Sequence, residues 1–381
     1  MKNKYDIVIC GAGLSGLTLA YYLSISNLSK KVLIIDQGLT SDVSKTWSYW
    51  AEDNFDLNFL ARKHWNKLSL KNKEGKYLYK KLNNNNYYTL NSKILLNFYI
   101  EQLQGNPNFD FIEESIDSLE YRKEHVVINT AGDKYFADIV FNSCLHLASY
   151  KNHGQAGLDQ IFVGWEIETN KPVFDSDSVI LMDFQNNPTH TNFFYVLPYS
   201  SRTALIENTI FSSQDMDKNV IERIIPDYIK KEYNLSSHEY SITYKEFGKL
   251  PMRLIQPKQI DKRVINIGTA GGHTKATSGY TLKNVVKNSK YLVGLLEKNE
   301  IPKIIPKSFF YKTLDKIFLK VLQSEYYLAD NFFLNLFEKN SADTVLAFLD
   351  EALNYLQALK VILKLPKAPF LKAAFKLNYF F

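Results

Sequence analysis

The apolar positions of this chain change period several times, and each change predicts an element. Residues 5–10 are almost continuously apolar and rich in β-branched side chains, which reads as a buried strand. Gly11-Ala-Gly13-Leu-Ser-Gly16 follows. Leu17, Ala20, Tyr21 and Leu23 then recur at helical spacing, and a second apolar run, 32–35, ends at Asp36. Short alternating strands are expected over 65–82, before a solvated asparagine run at 83–86. Residues 92–103 have helical spacing with Ser92 as N-cap. A strand at 109–112, a meander over 116–121, 125–129 and 135–136 turning at Gly132-Asp133, and a buried strand at 137–144 come next. Between 155 and 255 the pattern is mostly strand (161–168, 179–184, 192–197, 203–208, 240–247), with one helix over 215–228. A strand at 263–268 meets a second glycine segment running from Gly268 through Gly271-Gly272 to Gly279, and an amphipathic helix starts at Leu282. Beyond Ser308 the chain reads as helical. Val345, Leu349, Leu353, Leu356, Leu359 and Leu363 predict one amphipathic helix, with Asp350, Asn354, Gln357, Lys360 and Lys364 opposite.

This order predicts an α/β fold. A Rossmann-type FAD-binding domain, of the two-dinucleotide-binding-domain flavoprotein kind, carries an inserted antiparallel β-sheet substrate domain and a helical C-terminal region. The expected division is 1–150 for the first FAD-binding part, 151–258 for the substrate sheet, 259–300 for the second FAD-binding part and 301–381 for the helical region. In the first glycine motif Gly11 makes the turn, Gly13 lets backbone approach a pyrophosphate, and Gly16 lets helix and strand pack closely. Asp36 is placed to accept from a ribose hydroxyl. Gly268, Gly271, Gly272 and Gly279 form a second candidate contact, again at a helix start.

Composition narrows the classes. With 46 Lys+Arg against 40 Asp+Glu the net charge is +6, too mild to argue for nucleic acid, and no base-reading motif appears. Cys10 and Cys144 both fall in expected buried strands and read as core residues in a reducing compartment; no metal site is expected. Aromatics make up 14%, with 25 Tyr and 25 Phe, an excess that fits a tight core, a large apolar pocket or a membrane-facing surface. The segment 46–50, Thr-Trp-Ser-Tyr-Trp, is either a core-lining turn or an aromatic wall beside flavin or substrate. No apolar run approaches the ~20 residues that cross a bilayer, and no targeting segment is expected ahead of the first strand. The tail after Lys364 mixes lysines with aromatics, which suits a peripheral contact with a membrane surface.

Seven motifs in order resemble the bacterial lycopene β-cyclase family of FAD-dependent carotenoid enzymes: 46–50 (TWSYW), 162–166 (FVGWE), 181–184 (LMDF), 194–198 (FYVLP), 204–209 (ALIENT), 248–252 (GKLPM) and 268–280 (GTAGGHTKATSGY). The resemblance implies reduced FAD, with NAD(P)H as an indirect electron donor, and redox-neutral cyclisation of lycopene or a related linear carotenoid to γ-/β-carotene. It implies a cytoplasmic enzyme held peripherally at the inner face of the membrane. The family's acidic motif, resembling L-x-E-E-T, falls on 205–209. Glu207 carries over as catalytic acid, whereas Asn208 stands where a second acid is expected. Glu166 is the second candidate acid and Asp183 the third, more a structural residue. His273 is expected beside the flavin as a hydrogen-bonding group. Many flavin hydroxylases carry Gly-Asp where this chain has Gly268-Thr269, and Arg where Lys93 stands; Lys93 remains a candidate phosphate contact. Two other readings stay open: an FAD-dependent monooxygenase on an aromatic or polyene substrate, and a non-catalytic carotenoid- or lipid-binding flavoprotein.

Overall fold

The run at 5–10 forms the strand Lys4–Cys10 at the middle of a sheet, with Ile7 through Cys10 all buried. It pairs in parallel with Val32–Asp36 on one side and Lys134–Asn142 on the other. Phe109–Glu113 extends the parallel core past Val32–Asp36, and Val264–Asn266 extends it past Lys134–Asn142. The helices Leu14–Ser24, Ser92–Leu103 and Leu282–Glu297 bury Leu17, Leu95 and Val286 against Ile7 and Ile9 on one face. The meander strands Ile116–Tyr121 and Val126–Thr130 close the other face over Val8, Cys10 and Leu33. This is the Rossmann-type arrangement expected, in a computed structural model that describes residues 3–38, 44–148 and 157–378. The expected boundary at 150/151 and the last three residues of the tail lie outside the described residues.

A second sheet of seven strands follows the order Tyr240–Met252, Leu158–Thr169, Thr203–Ser212, Thr191–Pro198, Ser178–Gln185, Lys67–Lys71, Tyr77–Lys81. All neighbours are antiparallel except Ser178–Gln185 with Lys67–Lys71. The last two strands come from before residue 150, so the chain supplies this sheet twice. Helices Lys218–Glu222 and Ile225–Tyr233 cover one of its faces through Ile221, Ile225 and Ile229. A small sheet of Thr46–Ala51, Asn86–Asn91 and Lys63–Trp65 interleaves in sequence with strands of both large ones and contributes to both cores.

Several expectations change. Thr46–Ala51 is a strand, not a turn. The segments 135–136 and 137–144 are one strand, Lys134–Asn142; Cys144 lies beyond its end and is only half-buried. Asn91, not Ser92, caps the next helix, its side chain accepting from the backbone N–H of Lys93 and Ile94. The helix expected over 215–228 is two helices, broken at Arg223–Ile224 before Pro226. The single amphipathic helix expected through 345–363 is also two, Ala342–Leu349 and Tyr355–Ile362. Glu351 takes a positive φ of 59° between them, and Asn354 with Gln357 forms a capping box that starts a new helix. Two half-buried anchors fix this break: Asp350 accepts from Trp50 Nε1 at 2.7 Å, and Glu351 from Lys275 Nζ at 2.9 Å.

The glycine motif is sterically explicit. A Cβ on Gly16 would stand 1.9 Å from the backbone oxygen of Gly11. Gly16→Ala is therefore expected to lower stability by more than ~2 kcal/mol, because backbone has to move. Urea unfolding at an unchanged midpoint would show instead that the turn yields.

Candidate active site

The first glycine loop presents an anion cradle. Gly11 has φ +99°, and Gly13 starts the helix Leu14–Ser24 with no side-chain cap, so the first N–H groups of an eleven-residue helix are left for another acceptor. Nothing lies within 4 Å of where a Gly13 Cβ would point. Asp36 accepts from Ala12 N at 2.6 Å and from Gly38 N at 2.9 Å, which ties the acid to the loop. The second segment packs directly onto the first: a Cβ on Gly268 (φ +61°) would meet Ser15 Oγ at 2.1 Å. Gly271 and Gly272 are likewise hemmed in by the backbone oxygens of Asn266 and Ile255, while a Cβ on Gly279 (φ +74°) would meet the Leu250 side chain at 3.0 Å. His273 is buried, accepts from Gly268 N at 3.1 Å through Nδ1, and keeps an unpartnered Nε2. Burial, helped by Lys307, lowers it to about 3, so it is neutral. These cradles and this orphaned nitrogen fit a dinucleotide such as FAD. Lys93 is exposed on the first turn of Ser92–Leu103.

From Leu14 an apolar cavity of about 570 Å³ runs between the second sheet and the C-terminal helices to Phe370 and Ala374. Trp47, Ser48 and Trp50 line it, so the aromatic segment is a wall. Tyr87, Tyr195 and Tyr280 add a chain of hydroxyls: Tyr87 to Tyr195 at 2.8 Å, Tyr87 to Tyr280 at 2.9 Å, and Tyr195 donating to Ser48 Oγ at 2.9 Å. Trp50 and Tyr280 meet edge-on with centroids 4.3 Å apart.

Among the three expected acids, Glu207 alone lines this cavity. It sits in the middle of Thr203–Ser212, not at a strand end, and is 8% exposed. Thr209, two residues on and so on the same face, donates to its Oε1 at 2.7 Å. Burial pushes the carboxyl up to about 8, the charge of Glu246 adds to this, and the Thr209 bond opposes it. Asn208 turns to the other face, where it accepts from Asn192 at 2.6 Å and donates to Ile221 O at 2.8 Å. Glu166 is held in a two-bond fork by Arg62 (2.7 and 2.8 Å), whose guanidinium stacks on Tyr199. Asp183, buried on the helix-covered face, accepts from Tyr228 at 2.9 Å and faces Lys71 at 3.4 Å. Glu166 and Asp183 thus have ion-pair partners, while Glu207 has a hydroxyl only.

Sequence reasoning missed Glu246. It is 6% exposed, and its Oε2 accepts from Thr46 N at 2.7 Å. Burial pushes it up to about 7, against the Thr46 N–H. It lies just outside every quoted motif, and only the strand register brings it near Glu207. Lys275, Asp315 and Thr277 form a further buried polar cluster in the cavity wall.

Solved structures place the architecture among FAD-binding flavoproteins. A geranylgeranyl bacteriochlorophyll reductase-like protein from Thermoplasma acidophilum is 13% identical, with TM-score 0.62 over 100% of both chains. p-Nitrophenol 4-monooxygenase PnpA from Pseudomonas putida is 14% identical, with TM-score 0.58 over 96% of this chain and 98% of that one. A variant of halogenase PltM in complex with FAD is 12% identical, with TM-score 0.55 over 91% and 79%. No curated protein matches the chain. The class is thus a flavoprotein fold with a Rossmann-type domain. Within it, residues 6–375 match the model described as "Lycopene cyclase protein", and the chain belongs to the lycopene cyclase family.

Proposed function

We propose that the protein is a lycopene β-cyclase: it converts linear lycopene to γ-/β-carotene by acid-initiated, redox-neutral ring closure. The observation that carries this reading is a buried carboxyl, Glu207, held protonated near neutral pH in the wall of an apolar, aromatic-lined cavity. The O–H bond of Glu207 breaks as its proton adds to a terminal double bond. The neighbouring double bond attacks the resulting cation, forming the ring C–C bond. A ring proton then leaves to the Glu207 carboxylate, its C–H pair becoming the ring double bond, so atoms and electrons balance without an oxidant. Trp50, Tyr195 and Tyr280 present π faces and edges beside the cation and exclude water. Gly11, Gly13, Gly16 and Asp36, with Gly268, Gly271, Gly272 and Gly279, would hold FAD, with Lys93 as a candidate contact for a phosphate. When bound and reduced, with NAD(P)H as indirect donor, FAD supplies an electron-rich ring that favours a nearby cation.

The test is anaerobic incubation of FAD-loaded protein with dispersed lycopene and excess reductant. Ringed product without stoichiometric consumption of reductant is expected. Unchanged lycopene, or oxygen uptake matched to product in air, would instead favour a monooxygenase.

The protein is further proposed to sit on the cytoplasmic face of the membrane that holds the carotenoid. Among the described residues no helix is long and apolar enough to cross a bilayer. Leu356 (74% exposed), Leu359 and Phe375 (65%) project from Tyr355–Ile362 and Lys367–Asn378 among Lys360, Lys364, Lys372 and Lys376, and Leu363 and Leu371 beside them line the cavity. Changing Leu356, Leu359 and Phe375 together to serine is expected to weaken binding to anionic liposomes by at least ~10-fold, with turnover of detergent-dispersed lycopene unchanged. Sedimentation of wild type and variant to the same extent would remove these helices from the contact.

A further inference from the structure

We propose that Glu246 is the charged partner of a two-carboxyl acid: it stands across Gly164 from Glu207, as a positioning residue that keeps Glu207 in its proton-donating form. The inference rests on the cyclase reading and adds a residue to it. Gly164 pairs with Glu207 on one neighbouring strand and with Glu246 on the other, in antiparallel register that runs unbroken from Asp159 to Glu166 on both sides and shifts only after Glu166 on the Glu246 side. Directly opposed residues share a face, and strands ~4.8 Å apart put the two glutamate backbones ~10 Å apart with no side chain between. A Cβ built on Gly164 would lie 3.1 Å from Glu246 Cγ and 3.1 Å from Leu205 Cδ1. Leu205 is two residues before Glu207, so Glu246 and Glu207 project from the same face and only glycine leaves room between them.

The two carboxyls are not equivalent. Glu246 receives the backbone N–H of Thr46, and the lysine charge of Lys45 favours its ionised form. Its other oxygen, Oε1, is buried with no partner. Glu166 and the hydroxyls of Tyr199 and Tyr244 are its remaining titratable neighbours. Glu207 faces Thr209, Tyr195 and Tyr280, all neutral hydroxyls. Two like charges this close in a dry site disfavour each other, and the environment assigns the charge to Glu246 and the single proton to Glu207. After the proton moves to the alkene, both carboxyls are briefly ionised. Return of the ring proton to Glu207 relieves that repulsion, which favours completing the ring over releasing the cation. In-line acids at 207 and 208 cannot build this pair, since position 208 faces the opposite side; the second acid has to come from across the sheet.

The experiment compares full-length, FAD-loaded wild type, Glu246→Gln and Glu246→Asp. Each is read by the pH dependence of cyclisation and by infrared difference spectra of the protonated carboxylic C=O band that Glu207→Gln removes. In wild type both fall as pH rises through the Glu207 titration. In E246Q both midpoints are expected to move to lower pH by roughly one unit, and E246D, which keeps the charge, is expected to restore them. E246S serves in place of E246Q should the glutamine variant not fold. An E246Q midpoint equal to wild type, with activity lowered evenly at every pH, would overturn the proposal. If wild type forms no ringed product the function above fails, and the infrared midpoints alone still decide whether Glu246 controls the Glu207 proton.

Discussion

Glu207→Gln is expected to abolish cyclisation and, near neutral pH, to stabilise the fold. Glutamine keeps the shape and can still accept the Thr209 hydroxyl, but it cannot protonate an alkene. General acids contribute ~10²–10⁴-fold, so product formation should fall by at least ~10²-fold. The stability effect follows from linkage. Folding raises this carboxyl from 4.5 to about 8, so the folded state binds the proton more tightly than the unfolded chain does. Below the unfolded value both states are protonated and the residue costs nothing. Between the two values the cost grows with pH, and above about 8 it is constant, on the order of a few kcal/mol for a shift of this size. Glutamine carries no such cost. The variant should therefore melt higher than wild type near pH 8, with the gap shrinking toward pH ~5 and closing below it. Calorimetry across that range checks the sign: equal melting temperatures throughout would mean that the carboxyl is not held protonated, and a lower melting temperature that the Thr209 bond outweighs the buried charge. Loss of activity joined to a gain in stability would mark Glu207 as a residue kept for chemistry at the expense of the fold.

What the sequence made legible, and what it hid, divides along one physical line. Local periods and glycine spacing carry information about elements, so the run 5–10, the loop Gly11–Gly16, Asp36 and the strands of the second sheet are all readable. Register and side-chain partners are tertiary. Glu166 and Glu207 look alike in sequence, each following an apolar stretch; only the fold puts Arg62 on Glu166 and leaves Glu207 with Thr209. Glu246 lies some 40 residues from Glu207 and becomes its neighbour through Gly164, which no local pattern announces. The break at 350–354 was hidden for the same reason. Leucine spacing favours one helix, yet Asp350 and Glu351 turn inward to meet Trp50, Lys283 and Lys275 from three other parts of the chain. Satisfying buried charge overrides propensity there.

Those inward-turned acids lead to the second large effect. Lys275→Met is expected to destabilise the protein by about 3–5 kcal/mol, the cost of leaving buried charge without its partner. Lys275 Nζ stands 2.6 Å from Asp315 and 2.9 Å from Glu351, and Thr277 adds a bond to Asp315 at 3.3 Å. Removing the ammonium leaves two acids facing each other in a dry wall, with Lys307 as the remaining nearby cation. Adding Asp315→Asn should recover part of the loss, because the double variant buries one charge fewer; non-additivity between the two changes is the signature of a shared network. Urea unfolding of the two single variants and the double reads both quantities. The effect should also reach the cavity. Lys275 ties the second glycine segment to the helix Phe309–Ser324 and to the 350–354 turn, and the first two bring residues to the same cavity wall as Glu207. With the tie cut, that wall loses its common anchor and the packing of Trp50 against Tyr280 loosens, since Asp350, the neighbour of Glu351, holds Trp50 in place. Altered near-ultraviolet circular dichroism in the part of K275M that remains folded would report this loosening. An unchanged unfolding midpoint would show that solvent reaches the triad and that the wall is held by its apolar contacts alone.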